Sequence, residues 1–455
     1  MLQRRWRTAL TSITALALAL SYAWAAQAGT ETGDYAAGAT ITAASLQTVR
    51  IGLVWRFKDV KQVTLLASCH YVVARTASNE KLVTCTNLEP VTIAAAEKSL
   101  SLTRANGTKV DVGTSVTVTP GDPGGTITVD SPGRPSKQYH GTLEVSLKSG
   151  SLLLVNSVHI EDYLVGVLAG EMPASYPIEA QKAQAVAARN FTLRSLRRHA
   201  SAGYDLCDDS HCQVYDGSLR ESPARVRAVL ATAGQVATYH GQLASTMYCS
   251  DCGGVTECYA EGHKDSVPYL ATVTEPAGTA HRGWEEFYKL AELSAKLVAA
   301  GIEEADGLTK VAITKTSSSG RALVVELTGA KGSVSVDGVR LRLALGRDAI
   351  RSTLFAVETA PDGTVTFKGK GFGHGIGLCQ VGAKALADPP FNYTFDRILA
   401  HYYPGTTLSG IGTKQVGATG RTAPQPSPQR GGSSVADTQR GESAPVEVRV
   451  VEPRL

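Results

Sequence analysis

Two adjacent helix-forming segments, mostly apolar and joined by a short turn, constrain the fold of this chain more than any other feature. Residues 160–170 form a hydrophobic run of helical character, a Met-Pro turn follows, and an alanine-rich segment continues from 178 to about 199. Pro177 suits the first turn of that second helix. One carboxylate, Glu171, lies at the seam, where loss of solvent would raise its pKa and let it hold a proton near neutral pH.

The position of Glu171 alone does not decide its role. A glutamate at such a place can also cap a helix or form an ion pair, here with Lys182 or Arg189. On position alone this structural interpretation is favoured, so the choice depends on the rest of the chain.

Strands are predicted on both sides of the helical region, which spans 157 to about 235 with a loop at 201–217. Short runs of β-branched and apolar residues lie between turn clusters rich in Gly, Pro and Asp, a pattern typical of β-strands. These runs occupy 49–55, 62–66, 116–119, 126–129, 142–147, 152–155, 311–314, 322–327 and 364–367. A helix is expected at about 285–301. With no βαβ alternation, the sequence predicts an α+β fold with segregated helices and strands and a β-rich N-terminal part.

The two ends of the chain differ in composition from the middle. Three arginines followed by an apolar run and small residues predict a signal peptide at 1–28, and therefore an exported, periplasmic or cell-wall protein. A retained N-terminal membrane anchor is the alternative, because the apolar run is near the minimum for a span. Residues 29–136 are predicted as a β-rich region and 137–408 as the main domain. Residues 409–455, rich in Pro, Gly and Ser, are expected to be a disordered tail.

The charge of the chain argues against one class of partner. The formal net charge is +4, which is too small to indicate nucleic-acid binding, and no nucleic-acid partner is expected.

Eight cysteines allow either metal binding or disulfides. Two thiols and two imidazoles that are close in sequence can fill a tetrahedral zinc shell; they belong to His199, Cys207, His211 and Cys212. Export favours disulfides instead. In that interpretation Cys69 pairs with Cys85, Cys212 with Cys252, and Cys207 with Cys249 or Cys258. Both interpretations remain open at this stage.

A series of motifs runs in order along the main domain. It reads EDYLVGVLAGEMP at 161–173, KAQAVAAR at 182–189, QVYDG at 213–217, CGGVT at 252–256, PYL at 268–270, RLALG at 342–346, RS at 351–352, GFGHGIG at 371–377 and HYYPG at 401–405. The ordered set resembles the SpoIID/LytB family over residues 137–408. Two positions depart from the family pattern: Cys379 stands where a serine is usual, and Asn190 where threonine is frequent.

The resemblance implies a peptidoglycan lytic transglycosylase. Such enzymes cut the β-1,4 bond between N-acetylmuramic acid (MurNAc) and N-acetylglucosamine (GlcNAc), and the muramyl 6-hydroxyl closes a 1,6-anhydro ring. One carboxylate can then suffice where ordinary glycosidases use two, and by similarity Glu171 acts first as acid and then as base. Further residues are expected to bind the glycan strand or to orient Glu171. They are Lys182, Gln184, Arg189, Gln213, Tyr215, His374 and Gln380.

The same resemblance implies an alternative function and a cofactor. The family includes amidase enhancers, so the chain could instead bind glycan or an N-acetylmuramoyl-L-alanine amidase without cutting any bond. Some members hold zinc in a similar His and Cys run, which here would shape the loop that carries Gln213 and Tyr215. A preference for glycan stripped of stem peptides is also implied. A zinc hydrolase is disfavoured, since the sequence shows no H-E-x-x-H motif and no open three-ligand pattern.

Overall fold

Twelve β-strands precede the first helix in the computed structural model, which describes residues 48–86, 88–263 and 266–410. Buried and less buried residues alternate along 62–67 and 115–120, as the apolar pattern predicted. The strands are Thr48–Gly52 (β1), Gln62–Ala67 (β2), Tyr71–Arg75 (β3), Lys81–Cys85 (β4), Val91–Ala95 (β5), Leu100–Arg104 (β6), Lys109–Asp111 (β7), Ser115–Pro120 (β8), Thr126–Asp130 (β9), Lys137–His140 (β10), Thr142–Lys148 (β11) and Ser151–His159 (β12).

These strands form two sheets that share one apolar core. One sheet has the order β13-β1-β12-β11-β8-β3-β4, in which β13 is the short strand Leu206–Cys207, and the other has the order β10-β9-β2-β5-β6-β7. Ile51, Leu65 and Val118 contribute to the shared core. Both sheets continue across the predicted boundary at residue 136, because β10 pairs with β9 and β11 pairs with β8.

Three helices occupy the region where the sequence predicted an apolar helix pair. They are Ile160–Glu171 (α1), Ile178–Arg194 (α2) and Pro223–Ala231 (α3). The imidazole of His159 caps α1 by accepting a hydrogen bond from the backbone N–H of Glu161, and α1 ends just before Pro173. The small alanine side chains of α2 are buried, which lets neighbouring helices approach it closely.

Short elements connect α3 to the rest of the chain. They are Gln235–Tyr239 (β14), Gln242–Leu243 (β15), Tyr248–Cys249 (β16) and Tyr259–Gly262 (α4). Single 3-10 turns occur at Ala200–Ala202 and Glu303–Ala305.

Residues 283–370 form a β-rich unit with its own apolar core. Its elements are Gly283–Lys289 (β17), Leu290–Ala299 (α5), Lys310–Thr316 (β18), Ala322–Gly329 (β19), Gly332–Asp337 (β20), Gly338–Leu345 (α6), Phe355–Thr359 (β21) and Thr364–Lys370 (β22). The helix predicted at about 285–301 is wrong in its first part, where β17 pairs with β22. Trp284 and Tyr288 of this strand are buried in the core of the unit. They lie on the same face of the strand, and aromatic residues spaced in this way suit a sheet with one covered face.

The chain then returns to the helices around α2. The last elements are Leu378–Cys379 (β23), Gln380–Ala387 (α7), Phe395–Tyr402 (α8) and Thr407–Gly410 (β24). Both α7 and α8 pack against α2 around a second apolar core. Strand β23 pairs in parallel with β16, which places Cys379 beside Cys249.

The structure confirms the α+β prediction and its β-rich N-terminal part. No helix in the described part of the chain is long and apolar enough to cross a membrane. The predicted signal peptide and residues 411–455 of the predicted tail lie outside the described residues.

Candidate functional site

Glu171 is held at the end of α1 by an unusually close approach of the chain segment 214–217. A Cβ atom on Gly166 would lie 2.4 Å from the ring of Tyr215, and one on Gly170 would lie 2.5 Å from the carbonyl oxygen of Val214. Because both positions are glycine, the segment lies directly against the helix. The backbone N–H of Val214 consequently donates a hydrogen bond of 2.8 Å to Oε1 of Glu171.

The surroundings of Glu171 favour its protonated form near neutral pH. Burial raises the pKa of its carboxyl from 4.5 to about 7, although the Val214 N–H and the side chain of Gln380 oppose this by hydrogen bonding to the carboxylate. The phenols of Tyr163 and Tyr248 lie near this charge, and burial raises their pKa values well above the usual range. A carboxyl with a pKa close to the ambient pH can both give and take a proton.

Gln380 and Gln184 connect this carboxyl to two further helices. Gln380 is the first residue of α7, and its Nε2 donates to Oε1 of Gln184 on α2 at 3.4 Å. Both glutamine side chains are buried. The structure thus brings together three of the predicted site residues, Glu171, Gln184 and Gln380, from three different helices.

The side chain of Arg189 makes its contacts inside the fold and does not face a ligand. Its side chain is 1% exposed and forms a bidentate ion pair with Glu161, with Nε–Oε1 and Nη2–Oε2 distances of 3.0 and 2.6 Å. Its Nη1 donates to the carbonyl oxygen of Gln235. All three guanidinium nitrogens are therefore used to tie α2 to α1 and to β14.

Gln213 and Tyr215 are also inside the fold. The Gln213 amide accepts from the hydroxyl of Thr192 at 2.8 Å and donates to that of Tyr248 at 2.8 Å. The hydroxyl of Tyr215 donates to Oδ1 of Asn156 at 2.9 Å. Each side chain is 1% exposed. The predicted glycan contacts of Arg189, Gln213 and Tyr215 are thus replaced by internal hydrogen bonds that hold the segment next to Glu171.

Lys182 and His374 remain partly exposed. The Lys182 ammonium pairs with Glu179 at 2.7 Å and lies over the ring of Phe395 on α8. Burial lowers the pKa of His374 to about 4, and its Nδ1 accepts from the backbone N–H of Ile376 at 3.0 Å. His374 is therefore a neutral imidazole near pH 7, and glycan binding by these two residues remains a prediction.

The four predicted zinc ligands come together in space. One donor atom from each of His199, Cys207, His211 and Cys212 lies within 4.8 Å of the others. Nε2 of His199 is 3.4 Å from Sγ of Cys212, and Nδ1 of His211 is 3.7 Å from Sγ of Cys207. Two thiolates and two imidazoles are a donor set that suits tetrahedral zinc.

The alternative disulfides are not formed in the described part of the chain, where all eight cysteines are free thiols. Cys207 lies beside Cys212, whereas Cys252 lies beside Cys379, so the pairing of Cys212 with Cys252 does not match this arrangement.

Two features of the site were missed from the sequence. The backbone N–H of Val214 contacts Glu171, and no residue pattern announces a main-chain donor. The donor atoms of Cys252, His281 and Cys379 also lie within 4.8 Å of one another, and the sequence analysis did not group these three residues. The cysteine at position 379, where the family usually has serine, is a sequence signal that could have indicated it.

Two family models match parts of this chain. Residues 148–239, which include α1 to α3, match a family model described as Stage II sporulation protein, and residues 269–377 match a domain of unknown function, DUF8618. Stage II sporulation protein D of Bacillus subtilis is 30% identical over 272 residues, which cover 56% of this chain and 76% of that protein.

Two further relatives extend the comparison. The amidase enhancer of Bacillus subtilis is 33% identical over 294 residues, which cover 54% of this chain and 40% of that protein. An uncharacterized protein of Brachyspira hyodysenteriae is 29% identical over 273 residues, covering 60% of this chain and 72% of that protein.

The family match and the relatives support a function related to the bacterial cell wall. The chain belongs to the SpoIID family.

Proposed function

We propose that this protein is a peptidoglycan lytic transglycosylase in which Glu171 is the catalytic residue. The observation that supports this most directly is the pKa of Glu171, which burial raises to about 7 beside the N–H of Val214 and the amide of Gln380. A catalytic carboxyl that must act as acid and then as base works best when its pKa is close to the working pH.

The reaction needs one proton to move twice. Protonated Glu171 donates to the glycosidic oxygen as the bond between C1 of MurNAc and that oxygen breaks, and GlcNAc leaves with its new hydroxyl. The 6-hydroxyl of the same MurNAc then bonds to C1 and loses its proton to the Glu171 carboxylate, which closes the 1,6-anhydro ring and regenerates the acid. No water is consumed, so a second carboxylate to activate water is not required.

The hydrogen bonds to Glu171 stabilise the carboxylate that exists between the two proton transfers. The Val214 N–H and the Gln380 amide both stabilise the carboxylate, since each lowers the pKa against the effect of burial. Gln184 in turn accepts from Gln380 and holds its amide toward the site. We assign glycan binding to Lys182 and His374, which keep partial exposure, and a positioning role to Gln184 and Gln380.

We also propose a structural zinc ion at the four-residue cluster described above. His199, Cys207, His211 and Cys212 would hold it, and bound zinc would supply a cross-link within an otherwise irregular segment. That segment continues directly into residues 213 and 214, so the cross-link would stabilise the N–H that contacts Glu171. Export is also part of the proposal, and in an exported protein a disulfide is the competing state of Cys207 and Cys212.

The test is product analysis on purified glycan strands from which an amidase has removed the stem peptides. Wild-type protein alone should release fragments with anhydro-muramyl ends, which mass spectrometry identifies. Glu171→Gln keeps size and hydrogen bonding but cannot deliver a proton, so the rate should fall by ~100-fold or more. Glu97→Gln, the same change at an exposed glutamate, is the matched control. Undiminished cleavage by the folded Glu171→Gln protein would refute the assignment.

A non-catalytic amidase enhancer is the second candidate. It is favoured by the similarity to the amidase enhancer of Bacillus subtilis, of which this chain covers 40%. In this case an N-acetylmuramoyl-L-alanine amidase is the partner, peptide release from intact wall accelerates when the protein is added, and peptide-free glycan stays uncut. The two candidates break different bonds, so anhydro-muramyl ends in the absence of amidase decide between them. If the protein cleaves glycan, intact wall should be a poor substrate until stem peptides are removed.

A further inference from the structure

A second group of side chains that could hold a metal ion includes Cys379, the residue that immediately precedes α7. One donor atom from each of Cys252, His281 and Cys379 lies within 4.8 Å of the others. Both cysteines are fully buried. Distant parts of the chain supply the three residues, so the group is a product of the fold.

Two backbone features bring the sulfur atoms together. The parallel pairing of β16 with β23 sets Cys249 beside Cys379, and the bridge between Asp251 and Phe372 continues this contact. As a result the backbone N–H of Cys252 donates to Sγ of Cys379 at 3.2 Å. The thiols of Cys249 and Cys252 both lie in hydrogen-bonding contact with Cys379.

The imidazole of His281 is oriented as metal-binding histidines usually are. Its Nδ1 is 2.6 Å from Oδ1 of Asp251, and Oδ2 of that buried carboxylate accepts from the backbone N–H of Arg282 at 2.8 Å. Its Nε2 is buried and has no hydrogen-bond partner among the described residues. Metal ligands almost always have their second ring nitrogen fixed by a carboxylate or carbonyl in this way.

We propose that Cys252, His281 and Cys379 bind a divalent metal ion of the zinc class, with the two thiols releasing their protons to solvent. Cys249 and Glu275 flank the three donors and are the available fourth ligands: Sγ of Cys252 donates to Oε1 of Glu275 at 3.1 Å. Two or three sulfurs with one imidazole suit zinc better than calcium or magnesium, which prefer oxygen.

A disulfide between two of these cysteines is the competing outcome in an exported protein. It would leave His281 with a buried nitrogen unsatisfied and would give the Asp251–His281 pair no role. A bound metal uses all of these groups, which is why the arrangement favours it.

The location of the metal implies a positioning role. Cys379 caps α7, its Sγ accepting from the backbone N–H of Gly382, and Gln380 follows immediately. A metal bound to Cys379 would therefore fix the start of the helix that presents Gln380 to Glu171. Metal binding does not depend on whether the protein cleaves glycan, so the two proposals can fail separately.

The experiment is metal analysis and thiol counting on the purified full-length chain. With both clusters loaded, two zinc ions per chain are expected. Replacing Cys252 and Cys379 by serine should remove one zinc, whereas the same change at Cys69 and Cys85, which lie outside both clusters, should remove none.

A spectroscopic measurement keeps the proposal testable if the double variant does not fold. His281→Gln leaves both thiols in place and should release one zinc to a coloured chelator much faster than wild type. In protein loaded with cobalt, thiolate-to-cobalt absorption should persist after Cys207 and Cys212 are changed to serine, because the second site remains. Loss of all such absorption in that variant, or a disulfide joining Cys252 or Cys379 in the isolated protein, would overturn the proposal.

Discussion

Replacement of Glu171 by glutamine should make the folded protein more stable at alkaline pH, even as it removes the proposed activity. Burial raises the pKa of this carboxyl from 4.5 to about 7. Each pKa unit corresponds to about 1.4 kcal/mol, so full ionisation of Glu171 costs the folded state roughly 3 kcal/mol. The side chain is partly exposed, and solvent screening reduces the expected effect to about 2 kcal/mol.

The direction of the pH dependence follows from proton binding. Between the unfolded pKa of 4.5 and the folded pKa of about 7, the folded protein holds more of this proton than the unfolded chain does. The contribution of Glu171 to stability therefore falls as pH rises through this window and is constant above it. Glutamine cannot ionise. In Glu171→Gln, residue 171 therefore makes no contribution to the change in the free energy of unfolding with pH.

Urea denaturation of both proteins measures the effect. The free energy of unfolding of Glu171→Gln minus that of wild type should increase by about 2 kcal/mol between about pH 5 and about pH 8. Glu97→Gln, at an exposed position, should show little change over the same range. If the difference for Glu171→Gln is the same at both pH values, the carboxyl is not desolvated and the proposed acid–base role loses its physical basis.

Three further changes test neighbouring features. Gln380→Ala removes a donor that lowers the pKa of Glu171, so the alkaline limb of the pH–rate profile should move to higher pH; a shift to lower pH would contradict this. Arg189→Met leaves a buried carboxylate unpaired and should cost about 3–5 kcal/mol in urea denaturation, whereas a surface binding role predicts unchanged stability. Gly170→Ala puts a Cβ 2.5 Å from a backbone oxygen and should cost ~1–3 kcal/mol; Gly262→Ala, with open space around it, should cost much less in the same thermal melts.

Local sequence patterns predicted the strands well where apolar and polar residues alternate clearly. The strands β2, β8, β9 and β11 were expected within a residue or two, because each is a short alternating run between turn residues. The segment 283–289 was misjudged, since its glutamates and aromatics suit a helix as well as a strand. Its pairing with β22, far along the chain, decided the outcome.

Candidate site residues could be predicted from the sequence where the side chain itself supplies the reactive or metal-binding group. The role of Glu171 was predicted from the resemblance to a known family. The candidate zinc ligands His199, Cys207, His211 and Cys212 were predicted from residue type and closeness in sequence, and the structure brings their donor atoms together. Burial could not be predicted in the same way. Polar residues inside a motif can bind a ligand or support the fold, and only tertiary contacts show that Arg189 belongs to the second group.

The two ends of the unit formed by residues 283–370 lie next to each other. Where its two ends meet, the backbone N–H of Gly371 donates to the carbonyl oxygen of Arg282 at 2.8 Å. Removal or exchange of the whole unit would therefore leave a short gap that one turn can close. Buried Arg321, however, reaches out of the unit to the carbonyl oxygens of Cys252 and Val255. Any replacement module must supply a similar cation, or these carbonyl groups lose their partner inside the protein.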